Sequence, residues 1–250
     1  MQGNKLVTDL QVLMPMGGLG SRFAKEGYAK PKLMIEVDGR PMFMRALESF
    51  KSVPGVQHIF VIRQEHEDAY DLSDQIRALL PNAKIALLDH NTSGAVETCL
   101  IARDLIDDST PLVVADCDIY FESSDYFSKV ARAIETGTPD GILLTFDSTD
   151  PRYSFVMLDN NGSVVRTAEK VAISNHAILG GYFFRSGELF KSLADDFVAS
   201  GLPEGLKEYF MSHLFNILLE RNGVIEIANI DLKYIFGTPE ELANYQNGKQ

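Results

Sequence analysis

The sequence predicts an α/β protein: a Rossmann-like, mixed but mainly parallel sheet flanked by helices. Three observations predict it. Apolar runs of four to eight residues alternate with longer segments of helical period. The early runs are apolar without polar alternation, as in strands covered on both faces. The longest stretch of turn-forming residues, Gly17 to Pro31, comes straight after the first run, where open α/β sheets build ligand sites. With 250 residues, 45% hydrophobic and 23% charged, the chain has material for a large core without disulfides or a structural metal.

In order, the predicted early strands are Leu10 to Met14, Leu33 to Val37, Val56 to Ile62, Ala83 to Leu88 and Leu112 to Ala115. A helix starts at Pro41, a favoured first helical position, and carries Phe43, Ala46, Leu47 and Phe50 at helical spacing. Further helices span about Glu67 to Leu79 and Gly94 to Ile106. After Asp118 the grammar changes. Gly141 to Phe146, Tyr153 to Leu158, Val164 to Ala168 and Ala177 to Phe184 are strand-like and separated by short turns, so this half is antiparallel in part. Helices Gly187 to Ala199 and Leu206 to Arg221 follow, the second with Leu206, Phe210, Leu214, Ile217 and Leu218 on one face. Two short strands and a helix from Pro239 finish the chain.

Net charge is −12, from 23 Lys and Arg against 35 Asp and Glu, which argues against a broad basic face for nucleic acid. A small anion would need a few cations gathered locally. Cys99 and Cys117 form no CxxC or Cys/His cluster and read as free thiols of a reducing compartment. Met1 to Asp9 lacks the pattern of a secretory leader, and no stretch approaches the roughly 18 apolar residues of a membrane span. A cytoplasmic protein with no membrane partner is expected. The five histidines form no HExxH, and no Gly-x-Ser-x-Gly turn occurs, so zinc hydrolysis and a serine triad are unsupported.

Two segments carry chemistry. Met14-Pro15-Met16-Gly17-Gly18-Leu19-Gly20-Ser21-Arg22-Phe23, closed by Pro31-Lys32, lets backbone N–H groups approach an anion while Arg22 and Lys32 bring positive charge. It is not a Walker A loop, and Phe23 stands where GxGxxG needs its third glycine. Three glycines alone describe a tight turn equally well; the added Ser-Arg and Pro-Lys favour a phosphate cradle. Leu112-Val113-Val114-Ala115-Asp116-Cys117-Asp118 is a strand ending in two carboxylates. A strand end is an ordinary place for Asp as a turn residue, but beside a phosphate cradle the pair suits Mg²⁺, which takes one or two carboxylates and completes its shell with water and phosphate.

Together with Val37-Asp38-Gly39-Arg40-Pro41-Met42, these segments resemble the sugar-phosphate nucleotidyltransferases, also called nucleoside-diphosphate-sugar pyrophosphorylases. The resemblance implies a GT-A-like nucleotidyltransferase fold in a single domain over residues 1–250, with a nucleotide-binding part at about 10–120 and a sugar-phosphate-binding part at about 121–250. It implies that Met16, Gly17, Gly18, Gly20 and Ser21 wrap an NTP triphosphate, that Arg22 stabilises the reacting phosphate and that Lys32 contacts phosphate oxygens. Asp118 becomes the Mg²⁺ ligand, with Asp116 beside it. The family's second aspartate stands two residues before the glycine of Gly237-Thr238-Pro239, where this chain has Ile235. Either Asp231 or Asp116 supplies the second ligand, or the metal site is incomplete.

Glu169-Lys170, Ser174-Asn175-His176-Ala177 and Gly180-Gly181-Tyr182-Phe183-Phe184 resemble the family's substrate-side elements. They imply Glu169 on sugar hydroxyls, Lys170 on the sugar phosphate and Asn175 at the substrate. Ser154 stands where glycine is frequent, making the pocket narrower or differently polar. Gly94-Ala95-Val96-Glu97-Thr98 resembles the base-contacting helix start, with Glu97 where Gln can stand; a carboxylate cannot donate to a base carbonyl, and the base stays open. Asn216 reads as an ordinary polar position on its helix.

The implied reaction joins an NTP and a sugar phosphate, or a similar phosphorylated metabolite, into a nucleotide-activated product and pyrophosphate. Mg²⁺ is the implied cofactor, and a homo-oligomer is left open. Two rivals stand beside it. Asp116-Cys117-Asp118 is also the DxD pattern of metal-dependent glycosyltransferases, and Ile235 would suit a noncatalytic regulator that binds nucleotide or nucleotide-sugar.

Overall fold

A computed structural model describes residues 10–248; residues 1–9, on which the leader reading rests, and 249–250 lie outside the described residues. The first half runs β1 (Gln11–Met16), α1 (Ser21–Lys25), β2 (Glu36–Val37), β3 (Arg40–Pro41), α2 (Met42–Leu47), β4 (Gln57–Arg63), α3 (Gln64–Tyr70), α4 (Leu72–Leu79), β5 (Lys84–Leu88), α5 (Ala95–Leu100) and β6 (Leu112–Ala115). The second runs β7 (Ile119–Glu122), α6 (Ser124–Thr136), β8 (Gly141–Asp147), β9 (Ser154–Leu158), β10 (Val164–Glu169), β11 (His176–Phe184), α7 (Gly187–Ala199), α8 (Met211–Glu220), β12 (Ile225–Asn229), β13 (Leu232–Ile235) and α9 (Pro239–Gln246).

Among the described residues nine strands form one mixed sheet, with β5, β4, β1 and β6 mutually parallel. The antiparallel half begins at β11. One edge of β11 pairs with β9 at Ala177–Ile178 and with β6 from Gly181 onward, while β8 runs along the other edge. Its register against β8 slips between Ile178 and Tyr182, so the backbone bulges at Leu179-Gly180-Gly181. The strands on either side of β1 are reached by connections in opposite directions, which opens a crevice beyond the carboxyl ends of β1 and β6.

The unbroken apolar runs have their cause in two buried faces. Val12, Met14, Phe60 and Ile62 point into one core with Phe43, Ile76 and Val130. Their neighbours Leu13, Ile59 and Val61 point into the other, with Val96, Phe190, Leu193, Leu214 and Phe215. A third cluster, Phe23, Met42, Tyr120, Phe236 and Leu242, packs the segment after the glycine loop against the C-terminal segment. No helix among the described residues is long and apolar enough to cross a membrane.

Several elements differ from expectation. Leu33 to Val37 is no sheet strand: Lys32–Met34 is a 3-10 turn, and β2 pairs only with β3 around Asp38 and Gly39, both at positive φ. Glu67 to Leu79 breaks into α3 and α4 at Asp71, whose φ is 47°. Gly94 to Ile106 ends as α5 and then a 3-10 turn at Arg103–Leu105. Helix α8 begins only at Met211, because Tyr209 is engaged elsewhere: its N–H donates to Ser93 O at 2.6 Å and its carbonyl accepts from Val96 N at 3.1 Å. Sequence reading missed β7 and α6. The latter is capped by Ser123, whose hydroxyl accepts from Tyr126 N at 2.9 Å, and it buries Tyr126, Val130 and Ala133.

Candidate active site

Three cavities among the described residues share Pro15, at the end of β1, and Asp116, just past β6. The first, about 470 Å³, is lined by Gly18, Gly20, Ser21, Arg22 and Lys32 opposite Asp116 and Asp118. The loop is held closely on both sides. A Cβ on Gly17 would lie 2.7 Å from Leu88 and 2.9 Å from Thr98, and Gly20 has φ 59° with its Cβ position 3.0 Å from Lys32. Met16 is buried beneath the loop and also reaches this cavity. The glycine loop, both cations and both carboxylates therefore face one space.

The Lys32 ammonium is paired with the Asp118 carboxylate. Burial works against its charge, and Asp118, with Cys117 and Asp116, outweighs that and raises its pKa. Burial pushes the Asp116 carboxyl well above the usual carboxylate range, the Asp118 charge adds to this, and Lys32 opposes it. Burial likewise pushes the Cys117 thiol up to about 12, so it stays protonated and inert. The bulge in β11 makes room for Asp116. Its N–H donates to Gly180 O at 3.3 Å, and a Cβ on Gly180 would fall 2.0 Å from its Oδ2.

Ile235 lines the second cavity beside Asp116 and offers no oxygen. Asp231 does not replace it. Its Oδ2 accepts from Ser124 N at 2.8 Å and from the Ser124 hydroxyl at 3.0 Å, fixing the start of α6. Of the two alternatives to Ile235, only Asp116 faces the cavity.

The second cavity, about 320 Å³, is lined by Tyr153, Ser154, Glu169, Tyr182, Glu208 and Phe210 among others. The Ser154 hydroxyl donates to Glu169 Oε2, and Ser212 donates to the same oxygen at 3.1 Å. Lys170, at φ 56°, does not line the cavity itself but reaches two residues that do, with its ammonium 3.9 Å from Glu169 Oε1 and 4.5 Å from the centre of the Phe210 ring. Asn175 is not brought to the cavity: its Nδ2 donates to Asp147 Oδ1 at 3.0 Å. Asn216 pairs both ways with the Thr167 backbone, accepting its N–H at 2.8 Å and donating to its carbonyl at 3.0 Å, which ties α8 to the edge strand β10.

The third cavity, about 630 Å³, lies between the glycine loop and the start of α5, with Arg63, Asn91, Gly94 and Lys207 in its wall. Gly94 has φ 129°, and a Cβ there would meet Tyr209 N at 2.6 Å. Glu97 does not reach the cavity, because its carboxylate accepts from Ser93 N and closes the first turn of α5. Arg63 is the residue that sequence reasoning missed. Only 8% exposed, it donates to Gly17 O at 3.0 Å, to Asn91 Oδ1 at 3.0 Å and to Glu65 at 2.5 Å. A guanidinium only donates, so the Asn91 amide must turn its oxygen to Arg63. The available clue was an arginine at the carboxyl end of a buried strand, on the same edge as the glycine loop.

Residues 12–194 match the family model of the MobA-like NTP transferase domain. The chain belongs to this family. A solved structure of a nucleoside-diphosphate-sugar pyrophosphorylase from Vibrio cholerae RC9 is 25% identical and superimposes with a TM-score of 0.80, over 94% of this chain and 99% of that one. The inositol-1-phosphate CTP transferase of T. maritima shares the fold at 13% identity, with a TM-score of 0.75 over 97% of this chain and 96% of its own. The bifunctional protein GlmU of Carboxydothermus hydrogenoformans is 21% identical over 235 residues, 90% of this chain and 49% of that protein. The chain thus spans about half the length of this curated relative. The mixed, mainly parallel sheet and the nucleotidyltransferase family are both as the sequence led us to expect.

Proposed function

We propose that the protein transfers a nucleotidyl group from an NTP to a sugar phosphate or related phosphorylated metabolite, releasing pyrophosphate. One observation carries this reading: Arg22, Lys32 and the glycine loop line one cavity with Asp116 and Asp118, and two further cavities open from its shared wall. In this assignment the first cavity takes the triphosphate, the third the nucleoside and the second the acceptor.

The two carboxylates fit a hard divalent cation. Both are oxygen donors at one strand end, facing one cavity, and burial first and the Asp118 charge second raise the Asp116 carboxyl, which a cation between the two would oppose. Asp118, with Asp116, would hold Mg²⁺, the remaining positions going to water and phosphate. When bound, Mg²⁺ supplies charge neutralisation between two mutually repelling anions. Lys32, now on Asp118, would turn its ammonium to phosphate oxygens as that carboxylate takes the metal. Arg22 and the loop amides would stabilise charge on the triphosphate. A phosphate oxygen of the acceptor bonds to the α-phosphorus, the bond to the bridging oxygen breaks, and pyrophosphate leaves with that electron pair. No protein nucleophile is needed; positioning and electrostatics carry the step.

The test is pyrophosphate release with Mg²⁺, each NTP and a panel of phosphorylated acceptors. Release with at least one pair, reduced about 100-fold or more in Lys32→Ala, supports the reading. Nucleoside diphosphate as the product would favour a glycosyltransferase. Tight nucleotide binding without turnover would favour a noncatalytic sensor, the second reading that Ile235 keeps open.

A further inference from the structure

The second cavity narrows the acceptor, an inference that rests on the function proposed above. Its charged lining is acidic: Asp116, Glu169 and Glu208 stand against one cation, Arg152. That guanidinium is already engaged, by Asp150 at 3.0 Å and Glu241 at 2.7 Å. Among the described residues no Asn, Gln, Thr or His side chain lines the cavity. The Ser154 hydroxyl is donated to Glu169 Oε2, and Ser212 donates to the same oxygen. Protein hydroxyls thus hold one oxygen that sugar hydroxyls would use, and the strongest acceptors left in the wall are carboxylates, whose charge favours a cationic donor over a neutral hydroxyl.

What remains of the wall is aromatic and aliphatic, with Tyr153, Tyr182, Phe210, Ile178 and Met211. Two of the lining residues already hold an ammonium between a ring and a carboxylate: Lys170 Nζ is 4.5 Å from the Phe210 centroid and 3.9 Å from Glu169 Oε1. Aromatic rings attract cations through their quadrupole, and an alkylammonium adds apolar contact that a polyol cannot. We propose that the acceptor is a phosphorylated amino alcohol, its alkylammonium taking the place of the Lys170 ammonium between Glu169 and Phe210 as that exposed side chain swings to solvent. Glu208 stands in the same wall, and the acceptor's phosphate is directed along the Asp116 wall into the first cavity. The transfer itself is unchanged. A phosphate oxygen bonds to the α-phosphorus and pyrophosphate departs, while the ammonium takes no part in bond making.

Initial rates of pyrophosphate release test this with Mg²⁺, each NTP in turn and three kinds of acceptor. These are 2-aminoethyl phosphate with its N-trimethyl derivative, the uncharged isostere 3,3-dimethylbutyl phosphate, and a set of hexose 1-phosphates. The expected result is a kcat/KM roughly tenfold or more higher for the cationic acceptors than for the isostere or the hexoses. In Phe210→Leu, which keeps apolar bulk, that ratio shrinks about threefold or more. Equal rates for cation and isostere, or turnover confined to hexose phosphates, overturn the acceptor assignment and leave nucleotidyl transfer standing. No release with any pairing of NTP and acceptor overturns the transfer reading, and this inference with it.

Discussion

Replacing Gly180 by Ala places a methyl carbon 2.0 Å from Asp116 Oδ2, where ordinary contact begins near 3.4 Å. One of the two must move by about 1.4 Å. Turning the carboxylate relieves Oδ2, but the Asp116 Cβ would stay 2.7 Å from the new methyl, so the backbone joined by the 3.3 Å Asp116 N–Gly180 O hydrogen bond must also part and carry the carboxylate off its place. A displacement of about 1 Å in a positioned catalytic group costs on the order of 100-fold in rate, or about 2.7 kcal/mol of transition-state stabilisation. Overpacking costs about 1–3 kcal/mol of stability, which leaves a folded protein to assay. Steady-state pyrophosphate release should therefore fall about 100-fold in kcat for Gly180→Ala, with a cooperative melt retained in circular dichroism. A folded variant with kcat within about twofold of the parent would show that the place of Asp116 does not matter to the reaction.

Arg63→Lys loses the fork that spans Gly17 O and Asn91 Oδ1. The KM for NTP should rise about tenfold while the acceptor KM stays within about twofold; an unchanged NTP KM would remove Arg63 from nucleotide binding. Asn216→Ala leaves both Thr167 backbone groups without their side-chain partner and should lower stability by about 2 kcal/mol in urea unfolding, whereas a change below about 0.5 kcal/mol would refute the tie between α8 and β10. The Ser109 and Thr110 hydroxyls and N–H groups around Asp107 lower its carboxyl to about 2. Its contribution is present above the unfolded-state value of about 3.8 and is lost as pH falls through about 2. Melting temperature should thus drop more steeply from about pH 4 to 2 in the parent than in Asp107→Asn, and parallel curves would contradict the stabilising part of Asp107 in this turn.

The sheet was legible because both its faces are buried: a strand such as β6, Leu-Val-Val-Ala, needs no periodicity to be recognised between turn signals. The same logic misled at Leu33 to Val37, which is equally apolar but packs under the glycine loop, with Leu33 at the first cavity. Helix α6 was legible in principle, since Ser123 is a capping residue and Tyr126, Val130 and Ala133 keep helical spacing, but the polar opening Ser-Ser-Asp hid it. At the site, Lys32 and Asp118 are 86 positions apart, and only the shared edge of β1 and β6 predicts their meeting. Glu97, Asn175 and Asp231 were misplaced for one reason. Each is a polar side chain whose nearby backbone or side-chain partner claims it, and that local competition leaves no mark in the residue pattern.

The most direct measurement is a crystal structure with Mg²⁺ and an α,β-methylene NTP, which cannot release pyrophosphate. The account predicts the triphosphate against Gly18, Gly20 and Arg22, the metal on Asp118, and the Lys32 ammonium moved from that carboxylate to phosphate oxygens. A nucleotide bound outside these three cavities, or one bound with Lys32 still paired to Asp118 and no metal between protein and phosphate, would contradict it.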